Sequence, residues 1–520
     1  MSAASSSPLP PAPHPLLAER RLGVLLHPTA LPGPHGMGAI GPEARRYVDW
    51  LARAGASFWQ VLPLSPPGGP LLDNPYASWA SLAGDPQLLS LSDLVADGLL
   101  GFDDLAPAGF REGWADHDEA LPWRTERLGR AAARLLAGHP LRAELEAFRA
   151  AEADWVEHAA LFAALKAHHR GAPWWEWPAP LRDREPDAVA AARRELAEPI
   201  DRQVALQFLF ARQWTALRAY AAERGVRIMG DLPIYVITDS ADIWGYREGW
   251  QIRPDGSLSA QSGVPPDDFA DDGQLWGGAL YDWERMAADG FRWWLSRLRR
   301  ALALADVVRI DHFRAFAAYW EIPMGARSAR EGRWVDAPGA ELFARAKAEL
   351  GDPLPLCVED LGTIDAPVIA LRDALGFPGM RVLHYGFGGG AENVHLPHNI
   401  PEHAIVYPGN HDNDTTRGWW ASLPPHARTH VQHYLGRHGD DIAWDLIREA
   451  LACPARTAVV AMQDVLDLGS EARTNDPRSY AGPVETWQNW RWRLLPQQAD
   501  DWLAERLRFL ASLYGRVPGA

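Results

Sequence analysis

Cysteine is nearly absent. Cys357 and Cys453 are the only two in 520 residues, too few for a disulfide framework or a zinc cluster and in keeping with a reducing compartment. Long apolar runs are missing as well: no stretch reaches the roughly 18 residues that a membrane span requires. Residues 1–15 are rich in Ser, Ala and Pro and carry neither the basic start nor the apolar segment of a signal peptide. Cations are in deficit, with 51 Lys and Arg against 67 Asp and Glu and a net charge of −16, which argues against a nucleic-acid partner held through its phosphates. Nucleotide fingerprints fail too. Gly386-Phe-Gly-Gly-Gly390 matches neither GxGxxG nor the P-loop and reads as a flexible turn, and no GxSxG elbow occurs. HExxH and paired-cysteine spacings are absent. A cytoplasmic chain with residues 1–20 as a disordered tail is the expectation that remains.

What is present is apolar and aromatic. Apolar residues make up 47% of the chain and tryptophan alone numbers 25, enough for a large core and for flat faces on which sugars stack. Short apolar or β-branched runs recur at 23–26, 58–64, 226–232, 306–310, 355–359, 381–387, 404–407 and 457–462. Helical patterns lie between most of them, as at 43–54, 291–304 and 340–350. Eight such strands alternating with helices predict an α/β fold, a (β/α)8 TIM barrel. The spacing is uneven. About 160 residues separate the second and third strands and about 70 follow the third, far more than a crossover needs. The fold expected is therefore one catalytic barrel over 21–520 with large, mainly helical insertions in the βα loops, at about 66–224 and 237–290. The first insertion carries periodic runs at 125–138, 141–167 and 201–224. The second is rich in Trp244, Trp250, Pro265, Pro266, Asp267, Asp268, Phe269 and Trp276. Loops at the C-terminal face of a barrel wall its cleft.

Three carboxylates sit where strands end: Asp311, Glu359 and Asp412. Any one of them fits a helix N-cap, but three at the ends of different barrel strands converge on one place. Arg309 lies two residues before Asp311, so the strand period puts both on one face, where the guanidinium is expected to hold the carboxylate ionised. His312 and His411 stand beside Asp311 and Asp412, which leaves a metal-dependent reading open. Many tryptophans, Trp214 and Trp294 among them, fall in helical runs and read as packing.

Several longer motifs are specific enough to resemble one family. Gly23-Val-Leu-Leu-His-Pro-Thr-Ala-Leu-Pro32, Phe58-Trp-Gln-Val-Leu-Pro-Leu64, Asn74-Pro-Tyr-Ala-Ser78, Gly230-Asp-Leu-Pro-Ile-Tyr235, Gly263-Val-Pro-Pro-Asp-Asp-Phe269, Arg309-Ile-Asp-His-Phe-Arg314, Val358-Glu-Asp-Leu-Gly362, His411-Asp-Asn-Asp-Thr415 and Asn489-Trp-Arg-Trp-Arg493 occur in order. Together they resemble the amylomaltases, the 4-α-glucanotransferases of glycoside hydrolase family 77. The resemblance implies Asp311 as nucleophile, Glu359 as general acid/base and Asp412 as transition-state stabiliser. It implies donor-sugar contacts for Asp231, Arg309, His312 and His411, and outlying contacts for Tyr76, Gln274 and Trp276. It also implies maltooligosaccharide, amylose, starch or glycogen-derived substrates and no cofactor or metal. One departure is Ala315, where the family commonly has glycine. Residue chemistry alone leaves an α-glucan hydrolase and a non-catalytic carbohydrate-binding protein as alternatives.

Overall fold

The computed structural model describes residues 11–68, 73–106, 109–266, 272–481 and 488–518. Twelve strands are present among them: β1 (Arg21–Leu25), β2 (Phe58–Gln60), β3 (Arg227–Leu232), β4 (Ala260–Val264), β5 (Gln274–Leu275), β6 (Val307–Ile310), β7 (Ala318–Pro323), β8 (Arg333–Asp336), β9 (Leu356–Val358), β10 (Gly379–Val382), β11 (Ala404–Tyr407) and β12 (Thr457–Ala461). Eight of them pair in parallel in the order β10-β11-β12-β1-β2-β3-β6-β9, the eight expected from the sequence. The strands are short and almost wholly buried on both faces, as a helix-covered parallel sheet requires.

The ring closes between β9 and β10 without a ladder. Val358 N–H donates to the Pro378 carbonyl at 3.0 Å, and the buried Asp360 carboxylate accepts from Met380 N–H at 2.6 Å. Arg372 and Arg381 pair with the same carboxylate at 2.5 and 3.2 Å. Gly379 is obligatory here, because a Cβ would lie 2.4 Å from an Asp360 oxygen. The run expected as a strand over 381–387 divides: the ladder ends at Val382 and a 3-10 helix, Leu383–Gly388, follows. That helix includes much of the glycine segment read as a flexible turn.

Between β2 and β3 the chain is helical, with His117–Leu136, Arg142–Ala151, Ala153–His168 and Ala197–Glu223 as its longer elements. Trp214 and Trp294 are fully buried, as packing residues should be. The insertion after β3 departs from the mainly helical expectation. Its β4 and β5 join β7 and β8, which follow β6, in an antiparallel sheet ordered β5-β4-β7-β8. Trp244 and Trp250 of this insertion are buried in the core and do not line a cleft. Asp267, Asp268 and Phe269 lie outside the described residues. Within the expected N-terminal tail, Pro15–Leu17 forms a helical turn with Leu17 buried, and Arg20 donates to the carbonyls of Leu451, Cys453 and Tyr514. Order therefore begins before residue 20. No helix among the described residues is long and apolar enough to cross a membrane.

Candidate active site

The floor of the site is one layer of the barrel interior. Pairing of β3, β6 and β9 sets Asp231, Arg309 and Cys357 side by side. Arg309 is the hub. Its Nη1 donates to both Asp231 oxygens at 2.7 and 2.8 Å, and its Nη2 lies 3.1 Å from Asp311 and 3.8 Å from Glu359. Arg309 and Asp231 side chains are only 2% and 0% exposed. They hold the residues above them from below. Burial pushes the Cys357 thiol up to about 12, which makes it an inert packing group.

Asp311 and Glu359 each stand one residue beyond a strand. Asp311 N–H donates to the Leu232 carbonyl at 3.0 Å and Glu359 N–H to the Ile310 carbonyl at 2.9 Å, so the ladder itself fixes both Cα positions. Glu359 Oε2 also accepts the His312 N–H at 2.6 Å. His312 adopts a left-handed backbone, φ 45°, a conformation that costs a non-glycine residue about 1–3 kcal/mol and is retained where a site demands it. Here it aims a backbone donor at a carboxylate. Burial raises the Glu359 pKa to about 8, with the Asp311 charge adding and Arg309 and the His312 N–H opposing. Glu359 is therefore largely protonated at neutral pH. Asp311 is under opposed influences. Burial, with Asp412 adding, pushes its pKa above the usual carboxylate range despite Arg309, although 22% of its side chain remains open to the cleft. His312 is held neutral, its pKa lowered to about 4 by burial and then by Arg314.

Asp412 arrives by another route, on the loop after β11. Its N–H donates to Asn410 Oδ1 at 2.9 Å, Asn475 Nδ2 donates to its Oδ1 at 2.7 Å, and Arg473 donates to its carbonyl at 2.7 Å. His411 Nε2 is 3.3 Å from Asp412 Oδ2 and 2.8 Å from the Tyr76 hydroxyl. Tyr76 in turn donates to Asp231 at 2.7 Å. One polar chain thus runs from Asp412 through His411, Tyr76, Asp231 and Arg309 to Asp311. The Asp412 carboxylate is 39% exposed and faces open space.

The outer wall holds the remaining expected residues. Trp276 packs edge-on to His312 with ring centres 4.9 Å apart and is 40% exposed. Its Nε1 donates to Gln274 Oε1 at 3.0 Å, which ties Gln274 to the edge of the indole. Sequence reasoning missed Arg473 and Asn475, which lie some 60 residues from Asp412. It also gave no role to Trp490, whose ring lies 6.0 Å from Tyr76 and 6.3 Å from His411, nor to Tyr385, whose hydroxyl accepts from Asn413 at 2.7 Å. Only the Asn489-Trp490 motif offered a signal. No three His, Cys, Asp or Glu side chains converge as a metal shell among the described residues.

Comparison with known proteins agrees with this geometry. A family model described as 4-alpha-glucanotransferase matches residues 26–498. The 4-alpha-glucanotransferase of Thermus thermophilus is 44% identical over 96% of this chain and 99% of its own length. The chloroplastic/amyloplastic 4-alpha-glucanotransferase of Arabidopsis thaliana is 45% identical over 98% and 87%. Among solved structures, an amylomaltase from Streptococcus agalactiae in complex with acarbose superposes with a TM-score of 0.90 at 34% identity, covering 96% of this chain and all of the other. A barrel with three carboxylates at its C-terminal face, matched along nearly its whole length, places the chain in glycoside hydrolase family 77: it belongs to the 4-α-glucanotransferases.

Proposed function

We propose that Asp311, Glu359 and Asp412 carry out the family's reaction in this chain: transfer of α-1,4-glucan segments between maltooligosaccharides with retention at C1. The observation that carries the assignment is the single Arg309 nitrogen 3.1 Å from Asp311 and 3.8 Å from Glu359. Those two contacts keep Asp311 Oδ1 and Glu359 Oε2 within about 7 Å of one another, short of most of the roughly 6.5–9.5 Å range of inverting pairs.

Asp311, exposed to the cleft, attacks C1 of the donor sugar while Glu359 gives its proton to the departing glycosidic oxygen. The glucan fragment leaves and a glycosyl ester forms on Asp311. Esterification removes the Asp311 charge. Repulsion on Glu359 then falls and its pKa drops, so the same carboxyl takes the proton from the acceptor 4-hydroxyl as that oxygen attacks C1. Asp412 faces the space where the donor's 2- and 3-hydroxyls would lie, and hydrogen bonds there strengthen as positive charge builds on the ring. Arg309 and Asp231 position, while Trp276 offers an apolar face that shields the ester from water. Neutral His312 and His411 act as hydroxyl partners. Two buried free thiols fit a cytoplasmic location.

The test is purified protein with maltotriose in EDTA, following products by chromatography and total reducing ends with time. Glucose plus a ladder of longer oligosaccharides at constant reducing ends is the expected outcome. Rising reducing ends without a ladder would make water the acceptor and the chain a hydrolase, and no reaction in EDTA that returns with metal would overturn the metal-free mechanism.

A further inference from the structure

Behind the barrel wall lies a second polar pocket that the transfer reaction does not use. It is small, about 50 Å³, is partly open to solvent, and sits between the ends of β2 and β3 and the helix Arg292–Leu304. Ser65, Ser81, Arg297 and Arg300 supply its polar lining, and Asp231 borders it with a fully buried carboxylate turned to Arg309 and Tyr76. Arg297 and Arg300 are three residues apart on one helix, so both guanidinium groups reach the same side.

Neither arginine has a carboxylate partner among the described residues. Arg297 is 2% exposed. Its Nη1 makes a long bond of 3.3 Å to the Ile234 carbonyl, the guanidinium also hydrogen-bonds the Tyr281 hydroxyl and lies over Trp293 and Trp294, and its Nε is buried without any acceptor. Arg300 donates Nε to the Leu82 carbonyl at 2.9 Å and lies over Trp155, and its Nη2 is likewise buried without an acceptor. The carboxylates whose charge reaches them, Asp242 and Asp311 for Arg297 and Glu152 for Arg300, are engaged elsewhere, Asp311 by Arg309 and Glu152 by the Trp155 indole N–H. Asp231 holds Arg309 and Tyr76, and Asp242 accepts from Ser81 N–H and hydroxyl and from Trp293. Buried arginines are otherwise paired as a rule, because an uncompensated charge in the interior is costly.

We propose that this pocket is an anion site, built for a phosphate group held between the forks of Arg297 and Arg300 with Ser65 at its edge. Guanidinium forks favour oxyanions, which accept two parallel N–H bonds, over a spherical halide. Because the pocket is partly open to solvent, the oxyanion can be free phosphate or the phosphate end of a sugar monoester.

The experiment is calorimetric titration of the full chain with inorganic phosphate, with sodium chloride at matched ionic strength as reference and glucose 1-phosphate as a second ligand. Saturable phosphate binding that chloride does not reproduce is expected. Arg300→Met, at the more open edge, should weaken it at least about tenfold, and Arg297→Met should do the same if its circular dichroism stays native. Arg300→Lys should recover part of the loss. Glucose 1-phosphate binding that the same variants weaken assigns recognition to the phosphate group, and tighter binding than inorganic phosphate names the monoester as the source. Chloride matching phosphate, unchanged affinity in Arg300→Met, or displacement of phosphate by maltotriose would each overturn the proposal.

Discussion

Asp311 and Glu359 are held by backbone; Asp412 is held by side chains. The first two follow their strands by one residue, with their own N–H groups in the barrel ladder. Asp412 follows β11 by five residues and takes its place from Asn410, Arg473 and Asn475. The pair proposed to make and break bonds is thereby fixed by the fold itself, while the residue proposed to grip sugar hydroxyls rests on contacts that single substitutions can remove. That division separates chemistry from tuning, and it can be tested at both ends.

Asp311→Asn should give the largest effect, a loss of about 10⁴-fold or more in turnover with maltooligosaccharide binding retained by calorimetry. Residual turnover within tenfold of the parent, with deamidation excluded by mass spectrometry, would remove Asp311 from the centre. Glu359→Gln should lose about 10²–10⁴-fold with maltotriose, yet retain its first step with an α-glucosyl fluoride donor, whose leaving group needs no proton. The glycosyl ester on Asp311 should then accumulate and be visible by mass spectrometry.

On the other side of the comparison, Asn475→Ala removes a hydrogen bond to a charged group, worth about 1.5–3 kcal/mol. A fall of about 10- to 100-fold in kcat with KM little changed is expected. In combination with Asp412→Asn it should add almost nothing, and full additivity would mean that Asn475 does not act through Asp412.

Proton occupancy gives smaller effects. The first step needs Glu359 protonated, so kcat/KM should fall as pH rises through about 8. Raising the folded pKa from 4.5 to about 8 also means that the stability contribution of Glu359 is fully present below 4.5 and is lost as pH rises through 8. Glu359→Gln should therefore gain in Tm relative to the parent between pH 5 and pH 8 in scanning calorimetry. An unchanged gap would show that the carboxyl is not held protonated.

The same contrast marks what could be read from sequence. Apolar runs followed by Asp311 and Glu359 announce strand-end carboxylates, and the two-residue period joins Arg309 to Asp311. The charge balance was not legible that way, because periodicity gives a face and not a depth, and depth is what lifts Asp311. The sheet of β4, β5, β7 and β8 left no pattern: β5 is two residues long, and the β4–β7 pairing spans about 60 residues. Asn475 is a lone polar residue some 60 positions from its partner. Arg297, in an arginine-rich helix, resembles a solvated face and is buried.

The closure between β9 and β10 sets the order in which the molecule fails. Seven joints of the ring are continuous ladders; the eighth rests on Val358, Pro378 and the carboxylate of Asp360, beside Glu359. Heating should loosen that seam before the rest of the ring, so activity should disappear at a temperature below the one at which the protein melts. Transglycosylation would then act as a thermometer for one joint, reporting the loss of a few bonds while most of the fold still stands.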